Sequence, residues 1–146
     1  EEDIDNFNNE NKTIREQWQE LGFYYECRDQ ERLWYITGSM NGLLHFYTIL
    51  LNYINKEQYN DISEHEHYGP YMDLEIMTWN KAGINSHSIH GTKNDLKKLA
   101  DIFLSKLQSS SIGDQFTIKC EYAPDTEYSI LVKVREDNFD PFLLDR

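Results

Sequence analysis

The chain has few covalent or conformational staples: two cysteines, three prolines and seven glycines among 146 residues. Cys27 and Cys120 stand far apart without CxxC spacing, and each falls in a strand-like stretch where a small buried thiol is the ordinary expectation. A reducing cytosol, and so a cytoplasmic location, fits that usage. No apolar run approaches the roughly 18 residues of a membrane span, and no charged-then-apolar leader opens the sequence, so neither a membrane segment nor a signal peptide is expected. Positive charge is scarce too. Lysine and arginine total 14 against 26 aspartates and glutamates, a formal charge of −12 that repels nucleic-acid phosphates and anionic lipid alike. Direct nucleic-acid binding is therefore disfavoured, and the same balance serves either solubility or steering toward a basic protein partner, between which charge alone does not choose.

What the chain does have is rings. Aromatic residues make up 14% of it, with ten tyrosines, seven phenylalanines and three tryptophans, so large side chains supply the core. The length suits one domain able to bury most of its apolar surface. Residues 1–11 are acid- and amide-rich, with only Ile4 and Phe7 to pack, and read as a flexible acidic N-terminus. Residues 12–146 read as a single α+β domain.

Thr13 with Glu16 three residues on forms a capping-box pattern for a short helix that Gly22 ends, its stripe made by Ile14, Trp18 and Leu21. Phe23 to Cys27 and Leu33 to Thr37 alternate around a polar link and predict a hairpin. Ser39 caps a helix from Met40 to about Ile54 with a wide apolar face. Asn55 to Pro70 is polar and turn-rich. Tyr71 to Thr78 alternates as a half-buried strand, and with a second strand ending near Ile89 it reads as another hairpin. Thr92 and Asp95 cap a helix from Lys93 to Leu107. Alternation over Phe116 to Tyr122 and Tyr128 to Val134 predicts a final hairpin.

The two capped helices superpose under one constant offset of 53 residues, which carries Ile36, Gly38, Ser39, Asn41, Leu43, Ile49 and Leu51 onto Ile89, Gly91, Thr92, Asn94, Leu96, Ile102 and Leu104. This correspondence predicts an internal duplication. The expected architecture is one mainly antiparallel sheet with both long helices on one face, in the order (α)ββαββαββ.

The segment Ser63 to Tyr71 carries the most suggestive chemistry. In extended backbone His65 and His67 place both imidazoles on one face, as a divalent metal requires, but two imidazoles supply half a tetrahedral shell, so no metal or other cofactor is expected there. Glu64 or Glu66 with either histidine could serve an acid/base hydrolase or metal-dependent enzyme, yet no oxyanion or phosphate donor set accompanies them, and Ser39 and Thr92 are caps rather than nucleophiles. No catalytic residue is assigned. As a binding surface the same region offers Glu64, Glu66, Asp73 and Glu75 beside Tyr68, Tyr71 and Trp79, acids with aromatic anchors suited to a basic target. A structural or regulatory module, with the Tyr68-Gly69-Pro70-Tyr71 rings covering the core, is the plainer alternative.

The stretch Gly38-Ser39-Met40-Asn41-Gly42-Leu43-Leu44, with Ser63 to Tyr71 and Gly113-Asp114-Gln115-Phe116, resembles small bacterial immunity proteins of polymorphic-toxin and contact-dependent growth inhibition systems. The resemblance spans Leu33 to Val134. It implies a cytosolic, non-catalytic inhibitor that binds one cognate toxin domain, often a basic nuclease, and it transfers no catalytic position.

Overall fold

A computed structural model describes residues 12–145. The N-terminal segment expected to be flexible lies outside them. Among the described residues three α-helices begin where local chemistry dictates. In α1 (Ile14–Leu21) the Thr13 hydroxyl accepts from the Glu16 amide while Glu16 reaches back to the Thr13 amide, and Gly22 ends it in the left-handed region at φ 87°. Ser39 accepts from the Gly42 amide at 3.1 Å to start α2 (Met40–Ile54), and Thr92 and Asp95 form a reciprocal box at α3 (Lys93–Gln108).

Among the described residues eight strands form two four-stranded sheets instead of the single sheet expected. The first orders β1 (Phe23–Arg28), β2 (Leu33–Ser39), β8 (Ser129–Arg135) and β7 (Gln115–Ile118). The second orders β3 (His65–Tyr68), β4 (Leu74–Thr78), β6 (Ile89–Gly91) and β5 (Gly83–Ile84). In each, two antiparallel hairpins flank one parallel pair, β2 with β8 and β4 with β6. The α+β class and the mainly antiparallel pairing follow the alternation of the sequence. The division into two sheets does not, because alternation sorts a strand's faces and is silent about its neighbour.

Three local readings are corrected. Tyr71 to Ile89 is not one hairpin: β4 runs parallel to β6, and the turn closes the short pair β5–β6 through Ile84 opposite Ile89. The strand expected from Tyr71 begins at Leu74, since Pro70 has no amide hydrogen and Tyr71 and Met72 adopt left-handed backbone at φ 64° and 57°. β7 ends at Ile118, and a turn at Lys119 to Ala123 leaves Cys120 exposed and not a buried strand thiol.

The two halves of the chain are topological equivalents. Each reads ββαββ, and exchanging them converts the order β1-β2-β8-β7 into β5-β6-β4-β3, the second sheet's own order. Registers agree as well. Ile36 and Gly38 oppose Val132 and Val134, while their counterparts Ile89 and Gly91 oppose Ile76 and Thr78. Each half thus places one hairpin in each sheet. α2 lies on β1, β2 and β8, α3 on β6 and β7, and the helices meet through Phe46 and Phe103, 4.9 Å between ring centroids. Phe23 and Phe116 extend that chain of rings into β1 and β7. Leu43, Leu50, Leu96, Leu99 and Phe103 are fully buried, each contributing about 1.5–3 kcal/mol.

Candidate functional site

The hairpin β3–β4 sorts its side chains by face. His67 stands opposite Glu75 and His65 opposite Met77, on the outer face, while Glu66 opposes Ile76 on the inner one. Leu74 and Ile76 are fully buried. Glu66 is held there by the Lys56 ammonium at 2.9 Å and the Tyr59 hydroxyl at 2.6 Å. Burial alone would raise the Glu66 carboxyl, but the Tyr59 and Lys56 donors outweigh it and hold it below the ordinary glutamate value.

The connection from Gly69 to Asp73 is strained and braced. Gly69 sits at φ 82°, and a Cβ there would come within 2.5 Å of the Tyr25 ring, so a side chain is barred on two counts. Tyr71 and Met72 follow with consecutive left-handed conformations, each of which costs about 1–3 kcal/mol outside glycine. Tyr25 holds them. Its hydroxyl donates to the Pro70 carbonyl and accepts from the Asp73 amide at 3.3 Å. Burial pushes that phenol up to about 12. The outcome is that Tyr71 and Met72 project into solvent, 56% and 60% exposed.

Beneath this turn lies a cleft of about 490 Å³. Its aromatic wall comes from Trp18 of α1, Tyr24 and Tyr25 of β1, Trp34 of β2 and Tyr71 of the turn, and its acids are Glu26, Asp73, Glu75 and Asp145. Among the described residues no lysine or arginine lines it. Asp145 accepts from the Trp18 indole at 2.9 Å and the Tyr71 hydroxyl at 2.6 Å, so the chain's last segment ties α1 to the turn. That contact raises the Tyr71 phenol. Glu26 accepts from Tyr24 and pairs with Arg28, whose guanidinium stacks on Tyr35 at 4.1 Å. Cys27, also at the wall, is pushed up to about 12 by burial and the neighbouring Asp29, which keeps it a thiol.

The residues singled out in the sequence therefore divide. Tyr71, Asp73 and Glu75 converge on the cleft. Glu64 is exposed just before β3, and its backbone carbonyl accepts from the Tyr53 hydroxyl at 2.8 Å. Tyr68 turns inward with its hydroxyl buried near the Glu66 carboxylate, and burial with that charge pushes the phenol upward. Trp79 follows β4 outside the cleft and is exposed. Sequence reasoning missed Trp18, Tyr24, Tyr25, Trp34, Glu26 and Asp145. The density of rings between 18 and 35 was visible but reads equally as core, and nothing local marks Asp145 as their neighbour.

The two histidines gain a companion that the sequence did not suggest. One ring nitrogen of His65, one of His67 and a carboxylate oxygen of Glu75 all lie within 4.8 Å of one another. His67 Nε2 stands 3.4 Å from Glu75 Oε1, and the two imidazoles meet edge to face at 5.1 Å.

Compared with protein-family models, curated proteins and solved structures, the chain gives no significant match. Among the described residues no helix is long and apolar enough to cross a membrane.

Proposed function

We propose that this protein is a cytoplasmic, non-catalytic inhibitor that captures a basic protein partner, the cognate toxin domain of a bacterial polymorphic-toxin or contact-dependent growth inhibition system. The observation that carries the reading is the cleft: carboxylates of Asp73, Glu75 and Asp145 over an aromatic wall that, among the described residues, no lysine or arginine lines. Such a site takes a guanidinium or ammonium group by ring-face attraction and charge-assisted hydrogen bonds together. Exposed Tyr71 and Met72 supply apolar area at its lip, and the net charge of −12 steers a basic partner toward it.

Surface plasmon resonance against the toxin domain encoded beside the gene, at low and high salt, tests this. Asp73→Lys should slow association and reduce its salt dependence, whereas Tyr71→Ala should speed dissociation and cost about 2 kcal/mol. Inhibition should titrate one to one, where an enzyme acting on the toxin would work at substoichiometric amounts. Absence of binding at micromolar concentration sinks the reading. Tight binding indifferent to both substitutions would place the interface elsewhere.

A further inference from the structure

We propose that His65, His67 and Glu75 form a binding site for a divalent first-row transition metal, with zinc the best fit. The expectation against a metal rested on the want of a third ligand. The register of β3 and β4 supplies it, because Glu75 stands directly opposite His67 on the outer face. Ligands about 2.0–2.1 Å from a tetrahedral zinc stand roughly 3.4 Å apart. His67 Nε2 and Glu75 Oε1 already have that spacing.

The rings are also held in the tautomer that metal binding needs. His65 Nδ1 lies 3.0 Å from the Ser63 carbonyl and His67 Nδ1 3.0 Å from the Met72 carbonyl. A carbonyl only accepts, so each Nδ1 carries the hydrogen and each neutral ring presents its Nε2 lone pair. Backbone carbonyls on the distal nitrogen are the usual orienting partners of metal-bound histidines. Both carbonyls belong to non-glycine residues in left-handed backbone, Ser63 at φ 79° and Met72 at φ 57°. The strain in the two loops that bracket β3 is thus spent at the points where it fixes the imidazoles.

His65 and His67 are exposed, so the remaining gap closes by side-chain rotation and the fourth position opens to solvent. A ligand set of two imidazoles and one carboxylate selects zinc and its neighbours over magnesium and calcium, which prefer all-oxygen shells. His67 and Glu75 also line the cleft, so the metal site adjoins the proposed docking surface, but its evidence is this geometry and its test needs no partner.

The test is calorimetric titration of the untagged protein with zinc chloride, with magnesium as the contrasting ion. One equivalent should bind at micromolar concentration or tighter, and magnesium should not bind there. His65→Ala and His67→Ala should each weaken zinc by more than about a hundredfold, Glu75→Gln by about tenfold, and Glu64→Gln not at all. In the unmodified protein, NMR should show the ring signals of two of the five histidines moving with zinc. Absence of a stoichiometric complex, unchanged affinity in His67→Ala, or movement of other histidine signals instead would each overturn the assignment.

Discussion

Glu66 and Glu75 occupy adjacent strands on opposite faces of one sheet, and their neighbours give them different work. Glu75 faces the cleft and His67; Glu66 is bound to Lys56 and Tyr59. Because the folded carboxyl of Glu66 lies below its unfolded value of 4.5, its stabilisation is fully present above that pH and is lost as pH falls through the folded value. Glu66→Gln should therefore lower stability at neutral pH, and the gap from the parent protein should narrow on acidification. Urea melts from about pH 7 to pH 3 measure it; a gap that stays constant or widens would contradict the pairing. Strand alternation was enough to set Glu66 apart from the histidines, but not to reveal Lys56 as its partner. Asp145 was less legible still, because its bonds to Trp18 and Tyr71 join residues more than a hundred positions away and seventy-four positions away.

At the scale of elements, the caps were legible and the joints between elements were not. Thr13, Ser39 and Thr92 each cap the helix that their local spacing announces. The strand β3 was hidden in a polar segment because its outward histidines face solvent and one inward side chain is a glutamate. The contact between α1 and α2 was hidden for another reason. Gly42, in the first turn of α2, lies so close to the end of α1 that a Cβ would fall 1.9 Å from the Gly22 carbonyl oxygen. Alanine would gain about 1 kcal/mol in helix propensity, but it forces two backbones apart. Gly42→Ala should therefore destabilise by about 2 kcal/mol or more, read as a lower urea midpoint at unchanged slope. A gain in stability would show that α1 yields freely.

On the scale of the molecule, the equivalence of the two halves was legible from Gly38 and Gly91, whereas the exchange of hairpins between halves was not. The exchange makes each half incomplete: 1–80 keeps β1–β2 and β3–β4 but loses the parallel neighbour of both β2 and β4. Fragments 1–80 and 81–146, cut in the exposed turn after Trp79, should each lack a cooperative monomeric transition and recover it on mixing. Circular dichroism melts with light scattering check this, and a monomeric, cooperatively folding 1–80 would refute it. The same pairing orders events during synthesis. β2 emerges early, but its central partner β8 follows only about ninety residues later. At about 5–20 residues per second the wait is on the order of 5–20 s. Throughout it, the open edge of β2 is available to any strand within reach, and on a crowded polysome the nearest candidates are the nascent copies of this same chain.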